Sequence, residues 1–192
     1  MFIVPGDNCY YDCANWDQGF EWWTDYLLGL EQNWGTIYNV RKQPTRPENF
    51  ALTRHRVLFI GIHTLFSRKI KDQGHWNRIE NDNINWSKTQ IRMFAHTGLV
   101  DAVVLLAHSY PRKDLYPKYW NYLSDEAESL LDMPFLFLQG DAHRFRQDTP
   151  FRAKNILRTV IDRGGIADPV LITVDISQEN PFVFEHRELT GM

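Results

Sequence analysis

The sequence predicts an α/β fold built on two β-sheets, and two patterns lead to this class. Short apolar runs recur along most of the chain, namely FIVP, VLFIGI, VVLLA and FLFLQ. Each run is bounded by Gly, Pro or polar residues and suits a buried strand better than a helix. Helical segments separate the later runs, which predicts strand–helix–strand units with right-handed crossovers. The C-terminal part has alternating or apolar runs without room for long helices, which predicts a second, partly antiparallel sheet.

The individual elements are predicted in chain order. Strands are expected at residues 2–4, 56–62, 102–107 and 134–138, and helices at residues 20–30, 86–97 and 119–131. Gly98 suits the C-terminal cap of the second of these helices. Residues 31–55 contain two prolines and few apolar runs, which indicates a long surface excursion, and the polar stretch 67–85 has no clear period. The second sheet is expected to take residues 155–162, 169–175 and 182–186.

Composition indicates one globular domain, because 192 residues with 43% hydrophobic and 23% charged side chains are ordinary proportions. A net charge of -3 gives no reason to expect nucleic acid or an anionic membrane as a partner. No apolar stretch approaches the roughly 20 residues that span a bilayer, and the start MFIVPGDN does not resemble a signal peptide. Cys9 and Cys13 suit reduced thiols, with a strained disulfide or half of a zinc site as alternatives. We therefore expect a cytoplasmic protein, with the localisation left open if further residues precede Met1.

Residues able to bind a metal follow directly after the apolar runs. Gly6-Asp7-Asn8 follows the first run, His63 the second, His108 the third and Gly140-Asp141-Ala142-His143 the fourth. Ligands bind outside the carboxyl ends of the strands in open α/β sheets, so we expect these side chains at one edge of one sheet. Carboxylate oxygens together with imidazole nitrogens suit zinc, iron, manganese or nickel rather than calcium.

Each of these stretches also has an ordinary structural interpretation. Gly, Asp and Asn favour turns for local reasons, and a histidine after a strand often makes only structural hydrogen bonds. The coincidence of such residues at one edge favours the metal site. Arg146 could hold a phosphate or pair with Asp148, and pairing is the favoured interpretation. The chain contains no G-x-G-x-x-G, Walker or G-x-S-x-G motif, which argues against nucleotide binding and a serine hydrolase.

The motifs resemble those of the calcineurin-like metallophosphoesterase superfamily. PGDN followed by DC, the strand that ends before His108, and GDAHRFRQDTP after FLFLQ carry the likeness. A branch that reads roughly PGDNEWTDC and HGDTHYFRVDKP is especially similar, and the resemblance covers essentially the whole chain. It implies two facing mixed β-sheets flanked by helices. It also implies hydrolysis of phosphomonoesters or phosphodiesters by a metal-bound hydroxide.

The resemblance implies roles for individual residues. Asp7 takes the place of the usual Asn ligand, and His108 matches the His of the fourth block. Asp141 and His143 match the paired His of the last block, so both are expected metal ligands. Asn8 falls where the His that assists the leaving group stands, which implies a catalytic role. The candidates for contact with substrate or for support of the ligands are Arg146, Asp148 and His63.

This sequence departs from the family at two places. Cys9 stands where the branch has Glu, and the D-x-H and G-D blocks that should precede PGDN are absent. These absences predict an N-terminally truncated domain with one metal site largely complete and an exposed strand edge at residues 2–4 suited to homo-oligomer formation. A metal-dependent phosphoesterase acting on a phosphate ester is the first hypothesis. A non-catalytic remnant, serving as a weak metal-binding or interaction module, is the second.

Overall fold

A mixed α/β architecture is present in the computed structural model, which describes residues 1–34, 39–66, 71–109, 112 and 114–186. Two short 3₁₀ turns, Asp7–Cys9 and Leu30–Trp34, lie near the N-terminus. The helices of the described residues are α1 (Trp16–Leu27), α2 (Gln73–Phe94) and α3 (Pro117–Glu128). Their strands are β1 (Arg41–Gln43), β2 (Arg46–Arg54), β3 (Val57–Ile62), β4 (Ala102–Ala107), β5 (Phe135–Gln139), β6 (Arg146–Asp148), β7 (Ile156–Val160), β8 (Val170–Val174) and β9 (Phe182–His186).

Seven of the strands in the described residues form one sheet in the order β1-β2-β3-β4-β5-β7-β6. Strands β3, β4, β5 and β7 are parallel, whereas β1, β2 and β6 pair antiparallel at its two sides. The β8–β9 hairpin forms a separate antiparallel sheet. Its Phe182 packs with Val104 and Leu136 of the large sheet, while alternate residues of that sheet pack in a larger core with α2 and α3. The predicted α/β class with two sheets is therefore confirmed at this level.

Three of the predicted strands and the three predicted helices are found, although the bounds of the helices differ. Helix α1 contains residues 20–27 of the predicted segment 20–30, and α2 contains residues 86–94 of the predicted segment 86–97. Strands β3, β4 and β5 match the apolar runs that follow residue 56, and α3 occupies most of the predicted segment 119–131. Segments 169–175 and 182–186 form the second sheet as expected. Segment 155–162 was assigned wrongly, because β7 pairs in parallel with β5 inside the large sheet.

The strand predicted at residues 2–4 is not formed. The first regular element is the Asp7–Cys9 turn, and the Phe2 ring instead stacks on Phe50 of β2 with centroids 5.2 Å apart. A stretch this short gains little from strand pairing when its aromatic side chain can cover a neighbouring strand. The strand edge on which the predicted homo-oligomer depended is therefore not present at these residues.

The predicted surface excursion at residues 31–55 is also wrong, because it contains β1 and the nine-residue strand β2. Pro47 obscured the pattern, but it lies at the start of β2 beside an irregularity in the β1–β2 register, where a missing N–H is tolerated. The start of the polar stretch, residues 67–70, lies outside the described residues. Its remainder begins α2, which runs unbroken for 22 residues.

The first half of helix α2, residues 73–85, was missed because the buried face of the helix is partly polar. The buried positions Trp76, Ile79, Asn83, Trp86 and Gln90 follow the three- and four-residue spacing of a helix, but Asn83 and Gln90 carry amides. The Asp72 side chain caps its start by accepting a hydrogen bond from the His75 N–H at 3.1 Å. Within the described residues, no helix combines the length and apolar character needed to cross a bilayer.

Candidate metal centre

The register of the parallel strands brings the ends of β3, β4 and β5 side by side. Ile62 pairs with Ala107, and Ala107 pairs with Gln139, so the next residues, His63, His108 and Gly140, are neighbours. The Gly140 N–H continues the ladder by donating to the His108 carbonyl at 3.0 Å. The carboxyl ends of β3, β4 and β5 therefore lie side by side at one edge of the sheet, as predicted.

Three side chains converge at this edge. One ligand atom each from Asp7, His108 and Asp141 lies within 4.8 Å of the others. Asp7 is buried, and the other two side chains are half-buried. Across the part of the chain that the structure describes, this is the one group of three His, Cys, Asp or Glu side chains with converging ligand atoms.

Two atoms of this group are buried against each other. Asp7 Oδ1 and His108 Nε2 form a close ion pair with each other, and neither has a hydrogen-bond partner elsewhere among the described residues. The nearest Asp141 oxygen lies 3.9 Å from the same imidazole nitrogen. Buried polar atoms are nearly always satisfied, and an ion is one of the explanations for an exception. A carboxylate–imidazole–carboxylate donor set fits a first-row divalent cation.

The Asp7 side of the centre depends on a close approach between backbone and ring. A Cβ added to Gly6 would lie 2.5 Å from His108 Nδ1, so only glycine fits here without displacing the imidazole. The Asp7 carbonyl accepts hydrogen bonds from the N–H groups of Tyr10 at 3.1 Å and Asp12 at 3.0 Å. The turn therefore holds Asp7 at a defined distance from the end of β4.

The Asp141 side is a tight loop with left-handed backbone conformations. Asp141 has φ 46° and His143 has φ 54°, and the Ala142 N–H donates to the Gly140 carbonyl at 2.7 Å. Asp and His are among the non-glycine residues that tolerate this region best. Burial raises the pKa of Asp141 and Asp7 adds to the effect, whereas His108 and His143 oppose it. Such a carboxyl gains from a nearby cation, because the cation favours its charged form.

The structure separates the other predicted site residues from this group. His143 is exposed and lies outside the converging triad, and Asn8 is exposed beside Asp7. Arg146 Nε lies 3.4 Å from Asp148 Oδ2, so the favoured pairing interpretation is correct. The buried Arg158 also donates to Asp148, at 2.6 Å from its Nε. Both cysteines are free and exposed, in agreement with the expected thiols.

His63 reaches the same edge but belongs to a different set of contacts. It is fully buried, with Nδ1 2.8 Å from Glu48 Oε1 and Nε2 2.8 Å from Tyr10 Oη. Burial lowers the pKa of His63. Burial alone would raise the pKa of Glu48, but its contacts with His63 and Arg46 hold it below the usual value. The result is a neutral imidazole beside an ionised carboxylate.

Sequence reasoning missed the partners of His63. Arg46 and Glu48 fall in the predicted surface excursion. Neither Tyr10 nor His75, whose Nε2 lies 3.4 Å from Tyr10 Oη, is among the predicted site residues. The signal that could have found them is the hairpin. The β2–β3 register continues from Phe50 opposite Gly61 to place Glu48 opposite His63.

Comparisons with models of known protein families, with curated proteins and with solved structures give no match. The resemblance to calcineurin-like metallophosphoesterases therefore stays a prediction from the sequence motifs. Function has to be argued from the geometry of the centre and from the chemistry of its side chains.

Proposed function

We propose that this chain is a metal-dependent phosphoesterase whose centre is formed by Asp7, His108 and Asp141. The observation that carries the proposal is the convergence of two carboxylates and one imidazole at the carboxyl edge of the sheet, where Asp7 Oδ1 and His108 Nε2 are buried against each other. Active centres of α/β folds occupy this edge. The proposal includes the calcineurin-like architecture, with the large sheet as one layer and the β8–β9 hairpin as part of the facing layer.

The donor set suits manganese, iron, zinc or nickel, any of which, when bound, would polarise a phosphoryl oxygen and lower the pKa of a bound water. Asp7 and Asp141 supply the negative charge that holds a cation, and the His108 imidazole completes the triad. Exposed Asn8 follows Asp7 directly, and its amide can donate a hydrogen bond to a phosphate or leaving-group oxygen. His143 is exposed on the Asp141 loop, where it can exchange a proton with an ester bound at the edge.

A second candidate is a module that binds one metal ion without turnover. It is favoured by the presence of a single converging group among the described residues, because two-metal hydrolysis needs two adjacent sets of ligands. Exposed His143 lies outside that group, although the family pattern makes it a ligand. The two candidates share the metal centre and differ only in catalysis.

The deciding experiment measures metal binding and hydrolysis on the same preparations. Mn²⁺ and Zn²⁺ affinity would be measured by competition with a chromophoric chelator. Turnover would be measured with p-nitrophenyl phosphate and bis-p-nitrophenyl phosphate. Asp141→Asn is the test variant, and Asp132→Asn is its matched control, because Asp132 is exposed before the amino end of β5. We expect the test variant to lose at least about tenfold in metal affinity, since it loses one ligand charge.

Each outcome either decides between the two candidates or rejects both. Metal-dependent turnover that Asp141→Asn abolishes and Asp132→Asn retains supports the phosphoesterase. Stoichiometric metal binding that is sensitive to Asp141→Asn, with no turnover of either ester, overturns the enzyme and supports the binding module. Equal metal affinity in both variants would show that the triad is not a metal centre, and both candidates would be wrong.

A further inference from the structure

A buried group of charged and polar side chains lies next to the metal centre and is not part of it. We call it the anchor cluster, and its members are Tyr10, Arg46, Glu48, His63 and Asp82. It joins four parts of the chain, because Tyr10 follows the Asp7 turn, Arg46 and Glu48 lie on β2, His63 follows β3 and Asp82 lies on α2. His63 is fully buried, and Glu48 is only 3% exposed.

The contacts of the cluster run in one chain from α2 to the Asp7 turn. Arg46 donates to Asp82 Oδ2 from Nε at 3.1 Å and from Nη2 at 3.0 Å. Its Nη1 donates to Glu48 Oε1 at 2.9 Å. Glu48 Oε1 lies 2.8 Å from His63 Nδ1, and His63 Nε2 lies 2.8 Å from the Tyr10 hydroxyl.

The chemistry of these groups gives the direction of each hydrogen bond. An ionised carboxylate only accepts, so His63 Nδ1 carries the proton and donates to Glu48. Arg46 Nη1 also lies 3.2 Å from His63 Nδ1, but two donors cannot bond to each other, so Arg46 Nη1 donates to Glu48 instead. The other ring nitrogen then accepts from the Tyr10 hydroxyl. Glu48 thus selects the tautomer of His63 that can hold Tyr10, as a carboxylate orients a histidine in many functional sites.

Tyr10 connects the cluster to a metal ligand. The Tyr10 N–H donates to the Asp7 carbonyl at 3.1 Å and so closes the Asp7 turn. The hydroxyl of the same residue is bonded to His63. The Phe20 ring packs against Tyr10 with centroids 4.8 Å apart, which leaves the side chain little freedom. A shift of Tyr10 would therefore be transmitted to Asp7 through the backbone of the turn.

The burial of ions in this cluster needs a reason. Removing a carboxylate and a guanidinium from water costs several kcal/mol per ion, and apolar side chains of similar volume often stabilise a protein as well or better. Stability by itself is therefore a weak explanation. The placement beside the Asp7 turn supplies a stronger one, because partners beyond the ligands commonly set ligand orientation and metal affinity.

We propose that the anchor cluster is a positioning device for the metal centre, in which Glu48 orients His63, His63 holds Tyr10, and Tyr10 fixes the turn that presents Asp7. The members are positioning residues and touch neither metal nor substrate in this role. The inference rests on the metal centre of the proposed function, but it does not require that the centre hydrolyse anything.

The test compares two tyrosines that each lose the hydrogen bonds of a buried hydroxyl. Tyr10→Phe removes the 2.8 Å bond to His63 and the longer 3.4 Å contact with His75. Tyr119→Phe removes the 2.9 Å bond to Ser87, remote from the Asp7 turn. Mn²⁺ affinity and amide hydrogen exchange of residues 9–13 would be measured for both variants and for the parent. Glu48→Gln is a third variant that keeps the shape of the side chain and removes the charge that selects the tautomer.

We expect Tyr10→Phe and Glu48→Gln to weaken Mn²⁺ binding about tenfold or more and to accelerate exchange in residues 9–13. Tyr119→Phe should leave both quantities at the parental level, even if it lowers the unfolding midpoint as much. Parental Mn²⁺ affinity in folded Tyr10→Phe overturns the proposal. If the parent binds neither Mn²⁺ nor Zn²⁺, the proposed function is wrong, and amide exchange alone decides whether Tyr10 anchors the turn.

Discussion

The two edges of the large sheet differ in how far their paired charged side chains are exposed to solvent. At the carboxyl edge, Asp7, Glu48, His63, His108 and Asp141 are buried or half-buried and form two neighbouring groups of contacts. At the amino edge, charged groups are exposed and pair on the surface. Arg56 pairs with Asp101 at the starts of β3 and β4, and Arg152 pairs with Glu128 at 2.8 Å near the end of α3.

The difference teaches which charges the fold must hold in place. Exposed pairs gain little, because water screens them and long side chains lose freedom when they pair. Buried charges interact strongly and are costly to leave unpaired. Among the described residues, the buried contacts between carboxylates and imidazoles lie at the carboxyl edge, where the candidate metal centre is, whereas buried Arg158 pairs with Asp148 within the sheet.

Glu48→Ala, which removes a buried carboxylate at the carboxyl edge, should have the largest effect on stability. The change leaves buried His63 without the carboxylate that accepts from Nδ1, and leaves Arg46 paired with Asp82 alone among the described residues, so the free energy of unfolding should fall by about 3 kcal/mol. Urea unfolding followed by tryptophan fluorescence measures it. A loss below about 1 kcal/mol would mean that the carboxyl edge tolerates an unpaired charge as the surface does.

Gly6→Ala should have the next largest effect. The added Cβ would meet the His108 ring at 2.5 Å, so the turn or the imidazole must move, at a cost of about 1–3 kcal/mol and with loss of metal affinity. Gly164→Ala is the control, because an added Cβ there meets nothing within 4 Å. Equal metal affinity in the two variants would contradict the close approach of Gly6 to His108.

The pH dependence of stability should reveal the buried histidines. Burial lowers the pKa of His75 to about 4, with further lowering by His63, Arg46 and Arg78 and opposition from Asp72. An unfolded histidine has a pKa near 6.5, so between about pH 6.5 and 4 the unfolded chain binds a proton that the folded chain does not. The unfolding free energy should therefore fall as pH falls through this window.

Unfolding in urea at pH 7, 6 and 5 checks this expectation. His75→Asn should show a smaller decrease between pH 7 and 5 than the parent, because one of the groups that take up protons on unfolding has been removed. His55→Asn, which changes an exposed histidine in the β2–β3 turn, is the control. A decrease in His75→Asn as steep as in the parent would show that His75 is accessible to protons in the folded state.

The smallest expected effect lies at the amino edge. Asp101→Asn removes the charge that pairs with exposed Arg56, and the unfolding midpoint should change by no more than about 2 °C. Adding salt should leave this small difference unchanged or reduce it. A shift comparable to that of Glu48→Ala would show that the exposed pair stabilises the protein as much as the buried one.

Much of the sheet and the triad could be predicted from local patterns. Strands β3, β4 and β5 are continuous apolar runs, and such runs are buried whatever surrounds them. Asp7, His108 and Asp141 were found because ligand-type residues follow directly after apolar runs. Asp7 was predicted correctly as a member of the group although the run before it is not a strand. The turn that follows Gly6 brings Asp7 against His108.

The rest depended on partners distant in sequence. Strand β2 and helix α2 bury polar side chains such as Glu48 and Asn83, which look like surface residues until a partner is known. Asn83 Nδ2 donates to the His63 carbonyl at 2.7 Å, and Asn49 Oδ1 accepts from the His63 N–H at 2.7 Å. Polar residues satisfied inside a core carry no apolar signal, so their periodicity was not recognised.

By itself, the sequence determined that an α/β sheet would form and that its carboxyl edge would collect carboxylates and imidazoles. Hydrophobic runs and turn residues decide this, because both act over a few residues. Only the tertiary structure decided that His108 and Asp141 join Asp7 while His143 stays exposed, and that His63 turns to Glu48 and Tyr10. These choices depend on strand register and backbone φ in loops, which arise from contacts between segments far apart in the chain.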